Sequence, residues 1–442
     1  MLIRLVLLIA FSAPVLAAST PRTLSSEDLF ELQYASDVAI APDGSQIAYL
    51  RAVHDIMRDA ARSNLWLIDV ETGAQRPLLS DSASYSSPAW SPDGSRLAYV
   101  GASDGKPQLF VRWVASGETA LLTNLTEAPS ALAWSPDGSQ IAFTMQVPAE
   151  KPSLAKPPKK PEGAEWAPEV TVIDAVTYRF DGRGYLEPGF SHVFVVSADG
   201  GNARRLTSGE FDHSGPLAWS PDGARIALVA NRNDDWQYQR SESDLYVVEV
   251  ASGALSQLTD LPGRETAPAW SPDGARIAFE RNDHQGRQYS DARIAVIDAD
   301  GSKLRVLTAD LDRPAASPVW SADGRQVYFR FDDRGQRKVA RVGLDGKREL
   351  LVDSISGTTI GRPYLSGAFS VAALRRHRLH RRQRAATGRR PSAQPARCAP
   401  ALDRIERKPA RPPRPGRSTR DCLFVGRRRY GNPGLVPDPA GL

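Results

Sequence analysis

Gly101-Ala102-Ser103-Asp104-Gly105 fits the G-x-S-x-G pattern, which lifts a nucleophilic serine over a parallel sheet on a strand-to-helix elbow. The flanks do not supply that elbow. Leu97-Ala98-Tyr99-Val100 before it and Gln108-Leu109-Phe110-Val111 after it both read as strands, so the string is expected to be a β-turn. His54, His192, His213 and His284 are scattered without metal-type pairing and are expected on loops or strand faces. Asp-Gly pairs recur, but no acidic alternation of a calcium loop surrounds them. Asn124-Leu125-Thr126 matches a glycosylation sequon and is read as a turn. The two cysteines, Cys398 and Cys422, have neither metal-site spacing nor a suitable neighbouring His. The sequence therefore offers no catalytic residue, no cofactor site and no metal ligand.

Any site would have to be positioned by repeats. Trp90-Ser91-Pro92-Asp93-Gly94 recurs with its Trp at 134, 219 and 270, in a looser copy at Trp320, and with Ile40 in place of Trp at the start. These starts lie 50, 44, 85, 51 and 50 residues apart. The apolar segment ending in Trp is a strand, and Pro-Asp-Gly is a tight turn in which Gly supplies the positive φ and Pro ends the strand. An alternating return strand follows, and then a second hairpin in every unit. Four short strands per repeat of roughly 50 residues is the grammar of a β-propeller blade. The Trp side chains are expected to pack between blades. The expected fold is thus all-β, with six complete blades and the first strand of a seventh at Phe369-Ser370-Val371-Ala372.

The 85-residue spacing marks an insertion at residues 146–190, rich in Pro, Lys and Glu to residue 168 and expected to be extended and solvated there. Ser25-Ser26-Glu27-Asp28-Leu29-Phe30-Glu31-Leu32 reads as a short capped helix, too short to stand alone. Ahead of it Arg4, the apolar residues 5–13 and a small-residue site near Ala17/Ala18 read as a signal peptide of a periplasmic or secreted product. That run is too short for a spanning helix, so no transmembrane segment is expected.

The overall charge of +5 is an average of two unlike parts. Residues 373–442 carry 18 Arg and 1 Lys against 4 acids, so the repeat body is acidic and no nucleic-acid partner is expected. Neither strand nor helix periodicity survives in that tail, which is read as out-of-frame or disordered sequence. The expected organisation is a signal peptide at 1–18, a helical segment at 19–37, the propeller at 38–372 and the tail at 373–442.

The helix running into Ser36-Asp37-Val38-Ala39-Ile40-Ala41-Pro42-Asp43-Gly44, the tandem blades, and Tyr178-Arg179-Phe180-Asp181-Gly182-Arg183-Gly184-Tyr185 together resemble a known family. They are similar to the N-terminal half of prolyl oligopeptidase-family serine peptidases, in the acylaminoacyl-peptidase-like bacterial branch, over roughly residues 23–372. The resemblance implies a seven-bladed propeller that admits short peptides to a Ser-Asp-His triad in a C-terminal hydrolase domain. The sequence departs from it by lacking the hydrolase motifs. Some members anchor a substrate N-terminus with acids after Asp-Trp-x-Tyr. Asp235-Trp236-Gln237-Tyr238 matches, but Gln239-Arg240-Ser241 follow, so Trp236 and Tyr238 remain candidate rim aromatics only.

The expectation is therefore the substrate-gating propeller of a truncated or frameshifted periplasmic peptidase, inactive alone, with short peptides and the missing hydrolase domain as partners. The alternative is a TolB-like periplasmic protein-binding propeller without enzymatic activity. Such proteins carry a sizeable α/β domain before the blades, where this sequence has only a helix. An unfinished seventh blade is expected to leave the sixth with an uncovered apolar face and the ring open.

Overall fold

The middle strands of each repeat are apolar on both faces, and in blade three the two faces are buried by different neighbouring sheets, while its fourth strand is exposed and polar. A computed structural model describes residues 23, 25–155, 158–167, 170–283, 290–355 and 367–372, with the strand Leu423–Val425. The expected signal segment, His284, both cysteines and the rest of the tail lie outside the described residues.

Six antiparallel four-stranded sheets follow one another. Blade one pairs Tyr34–Ile40, Gln46–Asp55, Ala60–Asp69 and Gln75–Leu79 in chain order. Blade three pairs Ser130–Trp134, Gln140–Pro148, Gly189–Ser197 and Arg204–Arg205. The first strands of successive blades touch one another and form the inner wall. The helix Asp28–Glu31 is a single turn, closed by Ser25, whose amide and hydroxyl both donate to Asp28 Oδ2. Among the described residues no helix is long and apolar enough to cross a membrane.

The core lies between the blades. Phe143 and Met145 of blade three join Leu109 and Val111 of blade two. Ala142, Val193 and Val195 turn the other way, to Trp219 and Leu228 of blade four. Opposite faces of one sheet thus serve two interfaces, as the period of two requires.

The repeat motif builds these interfaces directly. The indole Nε1 of Trp90, Trp134, Trp219 and Trp320 donates to the carbonyl of Ala39, Ala89, Ala133 and Ala269, each in the preceding blade, at 2.9–3.0 Å. Trp270 departs from the pattern in that its Nε1 has no partner among the described residues, although Arg225 lies 4.8 Å over its ring as Arg96 lies 4.9 Å over Trp134. The motif proline has a second role besides ending the strand. A methyl group on the turn glycine Gly94 would lie 3.6 Å from Pro42 Cδ, and Gly138 stands likewise to Pro92, so each proline abuts the next blade's turn. Within a turn, hydrogen bonds from Ser135 and Ser139 hold the Asp137 carboxyl at about 2. Trp219→Phe keeps the ring and strands the Ala133 carbonyl. A loss of about 1 kcal/mol is expected in urea melts, and an unchanged midpoint would refute an energetic role for this bond.

Each inner strand also breaks register at one place. Asp37, Ser87, Ala131, Gly215, Ala267 and Ser317 have positive φ, three or four residues before the motif's Ile or Trp. Such a bulge bends the strand and re-aims its polar groups.

Two boundaries and the packing of the last strand differ from expectation. Blade one begins at Tyr34, because Tyr34 already pairs with Ala52. The insertion begins at 149, because Gln146, Val147 and Pro148 still pair with Ser191, Phe190 and Gly189. A Cβ on Gly189 would stand 2.4 Å from the Val147 carbonyl, so the close return of the chain there needs glycine. Third, the seventh blade's first strand joins the sixth blade to the first. Phe369 packs beside Val339 and Ile355, while Ala372 enters the cluster of Ile40, Ile47 and Tyr49. The Ile40 amide donates to Ser370 Oγ at 3.2 Å. The sixth blade's face is therefore partly covered, and Phe369–Val371 also pairs with Leu423–Val425.

Candidate functional site

Connections between second and third strands, and from each fourth strand to the next blade, emerge at one end of the ring. The insertion belongs to this set, since residues 149–188 link the second and third strands of blade three. It does not simply extend into solvent. The Ala149 amide donates to Pro188 O, Lys151 pairs with Glu187 at 2.8 Å, and Arg179–Phe180 forms a small ladder with Gly184–Tyr185.

The insertion then reaches over to blade four. The Val176 amide donates to Gln237 Oε1 at 2.9 Å, the Arg240 guanidinium lies 5.6 Å over Phe180, and Trp236 meets Phe190 edge-on at 6.0 Å. The segment carrying these contacts is braced by Asn231 Nδ2 donating to Gln239 O and by Gln239 donating to Asp235. Beneath the bridge is a cavity of about 1800 Å³. Trp166, Tyr178, Phe180 and Trp236 line it as walls, and strand residues of blades four, five and six, including Arg264, Thr266, Ser317 and Arg330, line it as a floor. Trp166, Tyr178 and Phe180 are each about 45% exposed, an apolar surface left facing the opening. The arrangement suits a ligand with apolar side chains and a polar backbone.

Of the two rim aromatics singled out in the sequence, Trp236 lines this cavity, whereas Tyr238 lies outside its lining and is 80% exposed. Gln237 and Arg240 line it as well. The G-x-S-x-G string joins Arg96–Ser103 to Lys106–Trp113 through Asp104 and Gly105, with φ of 50° and 77°. It is a two-residue hairpin turn of the I′ kind, and its serine sits on no elbow. Leu125 of the sequon string is buried, its amide and carbonyl both held by Gln108, while Asn124 and Thr126 on either side are exposed.

The histidines are not all scattered. His192 and His213 are buried with their Nδ1 atoms 3.2 Å apart, and Arg232 Nη1 stands 2.9 Å from His213 Nε2. Arginine only donates, so His213 Nε2 must accept, which places the His213 proton on Nδ1. That proton points at His192 Nδ1, which then accepts and leaves the His192 proton on Nε2. Burial, the His192 ring and the Arg232 charge push His213 down to about 4, and burial with Arg205 also lowers His192. The pair bridges blades three and four directly beneath Asp212 and Ser214 of the cavity wall.

The second buried oddity is Glu265, fully enclosed, with no hydrogen-bond partner on either oxygen among the described residues and Arg281 Nη1 3.7 Å away. Burial raises its carboxyl to about 8 against the opposing pull of Arg281, with Asp244 and Glu242 adding repulsion.

The family model described as PD40, TolB beta propeller domain, matches residues 36–150 and 191–370. The residues it passes over, 151–190, nearly coincide with the insertion at 149–188. Dipeptidyl-peptidase 5 of Porphyromonas gingivalis is 24% identical over 318 residues, which is 67% of this chain and 44% of that protein. The Tol-Pal system protein TolB of a Polaromonas species is 37% identical over 76 residues, 17% of this chain and 18% of that one. Among solved structures, Pyrococcus horikoshii acylaminoacyl peptidase superposes with a TM-score of 0.55 at 16% identity, over 74% of this chain and 47% of that one. That is a likeness of fold. The chain spans less than half the length of both peptidases.

Proposed function

Because the chain belongs to the PD40 TolB β-propeller family, we propose that it is a binding propeller whose mouth, roofed by the insertion, takes an extended peptide segment. The observation that carries this reading is the cavity itself. Half-exposed aromatic walls offer burial to apolar side chains, and the polar side chains of the floor offer hydrogen-bond partners to a peptide backbone. Catalysis by these residues is not part of the reading, since the one serine motif is a hairpin turn. A secreted or periplasmic address goes with it, supported by Arg4, the apolar residues 5–13 and the small residues near Ala17/Ala18.

Trp166 and Trp236 provide an intrinsic fluorescence signal at the site. Titration with short apolar peptides is expected to give a Kd between about 10 µM and 1 mM. Trp236→Ala is expected to weaken it about tenfold, the cost of a truncated aromatic anchor. No saturable signal up to several millimolar peptide would defeat the proposal.

A second reading is favoured by the similarity to dipeptidyl-peptidase 5, which extends over two thirds of the chain. In it the same mouth gates peptides for a peptidase. Binding is then shared, and hydrolysis of acyl- or aminoacyl-chromogenic substrates separates the two. None above background is expected from this chain.

A further inference from the structure

We infer that the floor of the cavity takes the terminal carboxylate of the bound peptide, on Arg330 with Arg264 as the second guanidinium. This rests on the peptide-binding reading above and asks which end of the peptide faces inward.

By count the lining is acidic, and a simple tally would send the amino terminus inward. Four of the seven acids of the lining, however, are engaged by the protein's own donors, among them the one nearest in effect to Arg330. Asp212 accepts the Ser191 amide, Glu242 the Gly263 amide, and Glu187 pairs with Lys151. Glu280, the carboxylate that acts on Arg330, takes the Ser317 amide on Oε1 at 2.7 Å and the Thr266 hydroxyl on Oε2 at 3.3 Å.

The two arginines are in the opposite condition. Arg330 lies on the second strand of blade six, opposite Ala316 and next to the bulge at Ser317. Its Nη1 donates to Gly367 O at 2.8 Å, its Nε is buried without a partner, and it forms no ion pair among the described residues. Asp332, the other acid nearby, is taken by a two-pronged pair with Arg337 at 2.7 and 2.9 Å. Arg264 opens the first strand of blade five with its side chain exposed and without an ion pair among the described residues. A partly buried guanidinium without a counter-ion is costly, and a carboxylate is the group whose forked geometry satisfies it. Burial, with repulsion from Arg337, also pushes Arg330 below the usual arginine range, against the pull of Glu280 and Asp332, neither of which forms an ion pair with it. The apolar walls above the floor leave room for the side chains that precede a peptide's last residue.

The test compares one N-acetylated apolar tripeptide as free acid and as C-terminal amide, titrated into the full chain by tryptophan fluorescence. The wild type is expected to bind the acid about tenfold more tightly than the amide. Arg330→Met is expected to bring acid affinity down to that of the amide. Arg264→Met, at an exposed position with little folding risk, is expected to shrink the ratio part of the way. Equal binding of acid and amide by the wild type would overturn the inference while leaving the peptide reading intact. A preserved preference in both variants would also overturn it. Binding of neither peptide would overturn the peptide reading and this inference with it.

Discussion

Between pH 6.5 and about 4 the fold is expected to lose on the order of 2–3 kcal/mol through His213, and most of that loss should vanish in His213→Gln. The folded imidazole is held near 4 and its ordinary value is 6.5. In that window the unfolded chain binds a proton the folded chain refuses, so stability falls as pH falls. The cause is steric and electrostatic together. His213 is fully buried, its Nε2 lone pair is consumed by Arg232, and a proton there would face a guanidinium at 2.9 Å. Protonating His192 Nδ1 instead would set two N–H groups against each other across 3.2 Å. The charged groups around the pair are Arg205, Arg232 and Asp212, and only Asp212 favours the charged form.

Glutamine at 213 keeps an oxygen for Arg232 and carries no titrating group. Urea melts at pH 7.5 and pH 5 are the measurement. The wild type should be markedly weaker at pH 5, and the variant should show a shallow residual slope from His192. Equal slopes in the two proteins would rule out the histidine pair as the origin. Because the pair joins blades three and four below the cavity wall, acid should also weaken peptide binding at the mouth.

The propeller was legible because its signals are local. Ser-Pro-Asp-Gly turns and period-two strands need only ten residues to declare themselves, and the left-handed glycines and inter-blade tryptophans follow. The non-catalytic reading of Ser103 rested equally on its immediate flanks. What escaped depends on which blades become neighbours. His192 and His213 are 21 residues apart, with no spacing rule connecting them, and meet only because one ends up in blade three and the other in blade four. The cavity escaped because its roof, the insertion, lacks periodicity. Its contacts to Gln237 and Arg240 cross 60 residues of chain. Trp236 was singled out for a string it shares with certain peptidases, and its place on the cavity wall comes from Phe190 and the insertion instead. Arg330 and Glu265 look like ordinary strand-face charges, and only the packing of the next blade shows what each one lacks.

Glu265 should give the opposite pH dependence and the larger effect. Its ordinary value is 4.5 and burial raises it to about 8. Across that window the folded chain holds a proton the unfolded chain releases, so stability falls as pH rises, by on the order of 4 kcal/mol once pH exceeds 8. Glu265→Gln has nearly the same shape and no charge to desolvate. It is expected to match the wild type near pH 5 and to exceed it by several kcal/mol at pH 9. Arg281→Met supplies the control: removing the one neighbouring cation should steepen the wild-type decline, because Asp244 and Glu242 then act on Glu265 unopposed. If Glu265→Gln were weaker than the wild type at pH 9, the carboxylate would have to be stabilising as an ion pair, and its lack of any hydrogen bond would need another explanation. Acid works against the histidine pair and base against Glu265, so the two windows together place the maximum of their joint contribution near about pH 5.5. Either substitution should move that maximum in the direction its own charge had opposed, upward for Glu265→Gln and downward for His213→Gln.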